Sequence, residues 1–171
     1  MSQKDCYARS DGAPTRSPWS RNIWDPIEGL YWKIKQYIGE NETIFGENLY
    51  GEHSIHYNKL TDYFHLFAIN DENEWYSWND VKLMSKWLEL PTVPELWRGV
   101  ITDENSLKTL VDFYTKESST YGDTREGVVI RITNSFPIND FPKYVCKWVR
   151  SNHVTTDEHW TRNWKKAELV L

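Results

Sequence analysis

Apolar and polar positions divide the chain into short elements. Residues 10–23, SDGAPTRSPWSRNI, are rich in Ser, Pro and Arg and read as a loop. Beyond them Ile27, Leu30, Tyr31, Ile34 and Ile38 recur at helical spacing. Asp25 suits the N-cap, Pro26 the first helical position and Gly39 the stop, so one helix is expected over 26–38. TIFGENLYG and YFHLFAI are short, aromatic and bounded by turn residues, which predicts two strands, with EWYSW continuing their sheet. A helix over 79–88, capped by Ser77 or Asn79, would put Val81, Met84, Trp87 and Leu88 on one face. Another after Thr102 would align Leu107, Leu110, Val111 and Tyr114. EGVVIRI and YVCKWVR predict two more strands, and the tail from His153 is polar and Trp-rich without a period. Strands and helices without regular βαβ alternation predict an α+β fold over 1–171. It would be one domain with a largely antiparallel sheet and helices packed outside.

Composition adds to this picture. Ten Trp, ten Tyr and six Phe in 171 residues are expected to carry much of the core, since each buries a large area. The net charge of −5 argues against duplex binding through bulk charge. Two basic clusters remain, Arg9, Arg16 and Arg21 near the start, and Arg150, Arg162, Lys165 and Lys166 near the end. If they met in space they would form a track for phosphates. Cys6 and Cys146 show no CxxC and read as buried, reduced thiols, which fits the cytoplasm. The N-terminus has no apolar signal region, and no apolar run approaches the roughly 18 residues of a membrane span, so no membrane partner is expected. His53, His56 and His65 lack metal-ligand spacing and are given no function.

Charged residues inside strand patterns are the candidates for chemistry. Glu47 follows Ile44, Phe45 and Gly46; Glu126 and Gly127 open an apolar strand; Lys147 sits between Cys146 and Trp148. A charge at a half-buried strand position costs free energy unless it meets a partner or ligand. Each of them alone also fits the solvated face of its strand. Gly46 and Gly127 would allow close backbone approach beside the carboxylates.

Taken in order, CYARSDG, FGENLYG, YFHLFAI, EGVVIRI and YVCKWVR resemble the consecutive motifs of ATP-dependent RNA ligases of the RNA ligase 2-like branch, over about residues 5–150. The resemblance implies a covalent nucleotidyltransferase (adenylation) domain of the ATP-grasp-like ligase type. It would join RNA ends, as in RNA repair, through lysyl-AMP and RNA-adenylate, using ATP with Mg²⁺ or Mn²⁺. It implies that Arg9 contacts a phosphate, Glu47 lies near the ribose and Phe67 stacks on adenine. Glu126 would help to hold the metal, and Lys147 would contact the α-phosphate. Phe67 alone would otherwise read as core, and Arg9 as a solvated charge.

One part of the family pattern is absent: the 171 residues contain no K-x-D-G. Arg9-Ser10-Asp11-Gly12 has the Asp-Gly but a guanidinium, which stays protonated and cannot act as the attacking amine. Lys4-Asp5-Cys6 lacks the glycine. The spacing from Arg9 to Glu47 suits the phosphate-contacting arginine, with Asp11-Gly12 as a turn. Val149 stands where some members carry a second lysine, and Arg150 is the candidate replacement. The expectation is a ligase domain lacking its first strands and nucleophile. It would be a fragment, one piece of a split enzyme completed by a second chain, or a degenerate member. The alternative is a non-catalytic nucleotide- or RNA-binding module derived from a ligase.

Overall fold

The computed structural model describes residues 1–9, 12–52, 55–150 and 164–170. After a 3-10 turn at Pro18–Ser20 come two short helices, α1 (Arg21–Trp24) and α2 (Leu30–Ile34), the second running into a 3-10 turn at Lys35–Tyr37. Then follow β1 (Thr43–Asn48), β2 (Gly51–Glu52), β3 (Phe64–Asn70), β4 (Glu74–Trp75), α3 (Trp78–Trp87) and α4 (Glu104–Lys116). The remainder is β5 (Gly127–Arg131), β6 (Phe136–Pro137), α5 (Phe141–Tyr144), β7 (Val145–Val149) and β8 (Lys165–Lys166). The fold is α+β. Its ladders are antiparallel but fall into three sheets: β1-β3-β4-β6, a β5–β7 ribbon, and a β2–β8 pair.

The single helix expected over 26–38 does not form. Asp25 does not cap it; its Oδ1 accepts from the backbone of Ile27 (3.0 Å) and Glu28 (3.2 Å), closing a local turn instead. Those bonds and Arg21 hold the Asp25 carboxyl down at about 2. Gly29 is then extended, at φ −63° and ψ 138°, and a Cβ there would lie 2.5 Å from the carbonyl oxygens of both Asp25 and Ile23. Ile27 is consequently exposed, while Tyr31, Ile34 and Ile38 are buried. The helical period was valid only from Leu30 onward.

The two later helices follow their sequence signals. Ser77 caps α3 by accepting from Asp80 N, and Asn79 lies within the helix. Asp103 caps α4 by accepting from Ser106 N at 2.9 Å. Each cap stabilises its helix by ~1 kcal/mol. Val81 and Leu88 are buried and Met84 packs against the core, but Trp87 is exposed.

The core departs from the aromatic expectation. It is mainly aliphatic, with Ile34, Ile38, Ile44, Leu66, Ile69 and Val81 packed around Tyr31 and Phe64. Trp32, Trp87, Trp97 and Trp148 are exposed. Bulky indoles at a helix or strand edge cover apolar surface while leaving one side in water. Cys6 is buried as expected, whereas Cys146 is exposed, because it lies on the open β5–β7 ribbon. Among the described residues no helix is long and apolar enough to cross a membrane.

Candidate functional site

Strand β1 places Glu47 directly across from His65 of β3. Opposed residues share a face, and side chains two apart on a strand do too, so Phe67 lies on the same face as Glu47. A bulge between Phe45 and Gly46 leaves Phe67 without a ladder partner, since Gly46 pairs with Leu66 and Phe45 with Ala68. Phe67 is 38% exposed on a strand whose neighbours are buried, so it is not a core residue. On the other face the Phe64 ring covers Gly46, where a Cβ would lie 2.1 Å from Cζ. Gly46 therefore serves core packing, and not the close approach of a ligand.

The second pair of candidates comes from the ribbon. Glu126 immediately precedes β5, and Lys147 stands on β7 opposite Val129. Lys147 Nζ donates to Glu126 Oε1 at 3.0 Å, with both side chains partly open to solvent. Gly127 is also explained within the fold: a Cβ there would lie 2.0 Å from the Trp148 carbonyl oxygen. What approaches this glycine is the partner strand, so neither glycine signals a ligand.

Glu126, Lys147 and Arg9 all act electrostatically on Glu47. Solvent reaches Glu47, but its carboxylate faces a concavity crowded by protein, and this desolvation pushes its pKa up. The Glu126 charge pushes the same way, and Lys147 and Arg9 oppose it. Sequence reasoning missed Tyr57. Its hydroxyl pKa is raised by burial first and then by the charges of Glu126 and Glu47, with Arg125 opposing. Nothing in the local sequence around Tyr57 marks it, because residue 57 joins the site only through tertiary folding. Glu47, Leu49, Ile55, Tyr57, Glu126 and Ala167 line a cavity of about 170 Å³.

Two clamps hold the segment that carries Glu126. Arg125 donates to the carbonyls of Tyr114 (2.6 Å) and Ser118 (2.9 Å). Tyr121 meets His65, with its hydroxyl 2.9 Å from Nδ1, while His65 Nε2 lies 3.0 Å from the Asp62 carbonyl. A carbonyl only accepts, so Nε2 carries the proton, and in the neutral ring Nδ1 accepts from Tyr121. Buried His65 is thus a structural link beneath Glu47. His56 pairs with Glu52 at 2.9 Å, and His53 lies outside the described residues.

Among the described residues the basic clusters do not form an unbroken phosphate track. Arg16 pairs with Asp5 and Arg21 with Asp25, each at 2.9 Å. Lys166 lies over the rings of Tyr50 and Tyr63, and Arg162 is outside the described residues. Arg21, Lys33 and Lys166 share a larger groove of about 910 Å³, but Asp25, Glu28, Asp62 and Glu89 line it as well. None of the predicted site residues lies in this groove. The smaller cavity is lined by Glu47 and Glu126, while Lys147 and Arg9 lie outside its lining and act on Glu47 through their charge. Lys4 is exposed, and it does not appear beside Lys147 and Arg9 as a cation acting on Glu47. Gly12 is in the left-handed region at φ 58°, as a turn requires, while Ser10 and Asp11 lie outside the described residues.

Among the described residues no group of three or more His, Cys, Asp or Glu is placed to hold a metal by itself. The donor set nonetheless suits a hard divalent cation held mainly by water and ligand phosphates. Such ions need only one or two protein carboxylates, and Glu126 and Glu47 are mutually repelling carboxylates whose charge a cation would relieve.

A family model described as RNA ligase matches residues 4–149. No curated protein and no solved structure matches the chain. The matched segment contains Arg9, Glu47, Phe67, Glu126 and Lys147 and takes in most of the described fold, and the chain belongs to the RNA ligase family.

Proposed function

We propose that this chain is a single adenylation domain that binds ATP and RNA ends for ATP-dependent RNA joining in the cytoplasm. The observation that carries the reading is that Glu126, Lys147 and Arg9, from three segments separate from that of Glu47, all act on the Glu47 carboxylate, with Lys147 and Glu126 paired at 3.0 Å. Phe67 offers a half-exposed ring on the face of Glu47 and would stack on adenine, which gives affinity without reading base edges. Glu47 would accept from a ribose hydroxyl. Lys147 would leave Glu126 to neutralise the α-phosphate, and Arg9 would contact a phosphate oxygen. Glu126, with Glu47 nearby, would hold Mg²⁺ or Mn²⁺, which when bound supplies charge neutralisation for phosphoryl transfer. These residues position groups and balance charge; none of them is the attacking amine.

The 171 residues contain no K-x-D-G, which favours a second reading: a nucleotide- or RNA-binding module without the adenylation step. Incubation with α-labelled ATP and Mg²⁺ is expected to leave the chain without a covalent adenylate. A labelled band abolished by Lys4→Ala would overturn this and make Lys4 the nucleophile. RNA that already carries a 5′-linked AMP needs no lysine for the final joining step. Sealing of that substrate by the chain supports the ligase reading, and bound but unsealed RNA supports the binding module. ATP that leaves the Trp fluorescence unchanged and does not bind would sink the ATP-dependent reading, and failure to bind RNA as well would sink both.

A further inference from the structure

The family match ends at residue 149, yet residues 164–170 return to the site. β8 pairs with β2 through Gly51–Lys166 and Glu52–Lys165. Ala167 N donates to the Tyr50 carbonyl at 2.9 Å, and the Tyr63 hydroxyl donates to the Ala167 carbonyl at 3.0 Å. Val170 N donates to the Leu60 carbonyl at 2.8 Å. Trp164 packs on Tyr50, and Lys166 lies over Tyr50 and Tyr63. The segment is held by its edges and remains largely exposed, in the manner of a strap. Ala167 is the residue by which it enters the wall of the cavity beside Glu47.

The chemistry of that cavity limits what it receives. At about 170 Å³ it is smaller than the roughly 300–1,000 Å³ of pockets that enclose a whole ligand. Its polar lining is three carboxylates (Glu47, Glu52 and Glu126), the Tyr57 phenol and the His56 imidazole, which Glu52 engages at 2.9 Å, with apolar walls from Leu49, Ile55 and Ala167. Carboxylates repel phosphate and accept from hydroxyls. Lys147 and Arg9, which suit phosphate, are not part of the lining. The fitting fragment is neutral and bears hydroxyls.

We propose that residues 164–170 form a strap that closes the sugar end of the nucleotide site, with Ala167 as the wall against the ribose. The inference rests on the ATP-binding reading above and adds a segment that lies beyond the family match. The strap orders when the sugar is seated, and its bulk at residue 167 sets how much room the sugar has.

Hydrogen exchange on the full chain with and without ATP and Mg²⁺ tests it. The expected result is exchange slowed at least tenfold at the amides of Ala167 and Val170, together with strand Phe64–Asn70. Ala167→Trp, which fills the cavity, is expected to weaken ATP binding at least tenfold. Protection of Phe64–Asn70 without Ala167 and Val170 would overturn the strap and leave ATP binding intact. So would a folded Ala167→Trp protein that binds ATP as the parent does. No protection anywhere would overturn the ATP reading and the strap with it. If Ala167→Trp fails to fold, the exchange pattern of the parent protein decides alone.

Discussion

Strand β3 and the β5–β7 ribbon both supply candidate site residues, but they are built differently. In β3, every residue from Phe64 to Ile69 except Phe67 is buried. The ribbon has no buried residue in either strand, and Val129 and Trp148 are markedly exposed. Glu47 and Phe67 therefore stand on a floor fixed by core packing. Glu126 and Lys147 stand on a ribbon located by a few polar clamps. Mobile elements come from the less stable parts of a fold, so the charged side is the one expected to shift against a rigid floor.

Cutting into the floor should have the largest effect. Leu66 is fully buried in the core that packs on the first sheet, so Leu66→Ala should cost about 2–5 kcal/mol through lost contacts and a cavity. Chemical denaturation should show a lower midpoint with both regions lost together. If Leu66→Ala loosens only the ribbon, the first sheet is not the rigid floor.

A cut at the clamps should separate the regions. Arg131, at the end of β5, donates to the carbonyls of Phe67 (3.3 Å) and Tyr76 (2.8 Å), and its guanidinium lies over Trp78 and Phe136. Burial lowers its pKa, but it stays charged at neutral pH. Arg131→Met keeps much of the apolar stem and removes the donors. The expected cost is about 1.5–3 kcal/mol, the range for hydrogen bonds to a charged group. Amide exchange should accelerate in Gly127–Arg131 and Val145–Val149 before it does in β1 and β3. Uniform acceleration would show that the ribbon and sheet open as one unit.

The same contrast governs what was legible in the sequence. Strands β1, β3, β5 and β7 were readable because aromatic and β-branched runs bounded by turn residues mark strands whichever sheet they join. The capping signal of Ser77 is local, and the apolar period after Thr102 marks a helix by itself, so α3 and α4 were readable too. The helix over 26–38 failed because the turn at Asp25 and the close packing at Gly29 compete with the period. Glu47, Glu126 and Lys147 were readable as charges out of place in strands. Their ordering with the aromatic segments carried the family likeness. The close approach expected at Gly46 and Gly127 does occur, but what makes it, the Phe64 ring and the Trp148 carbonyl, comes from elsewhere in the fold and was not legible locally. Tyr57 and Ala167 were invisible for a related reason: each enters the cavity through pairings distant in sequence. Arg16 and Arg21 looked available for phosphate because their partners, Asp5 and Asp25, were not read with them.

The smallest effect tests the electrostatic link between floor and ribbon. Glu47 has its pKa raised, by burial first and by Glu126 second, against the pull of Lys147 and Arg9. A raised carboxylate pKa means that the folded state binds the proton more tightly than the unfolded chain. The ionised group therefore costs stability above its folded pKa. That cost declines as pH falls through the folded value and is gone below the ordinary value of about 4.5. Glu47→Gln should raise the Tm at pH 7 and give no rise near pH 4, with the change falling between the ordinary and raised values. On the proposed function ATP binding should weaken in the same variant, because the charged acceptor proposed for the ribose becomes a weaker neutral one. Adding Glu126→Gln should produce less than the sum of the two single effects on Tm, since the shared repulsion can be removed only once. Thermal melts across this pH range measure all three proteins. An equal Tm offset at pH 4 and pH 7 would show that Glu47→Gln acts through packing. Additivity in the double variant would show that the carboxylates of the floor and the ribbon do not sense each other.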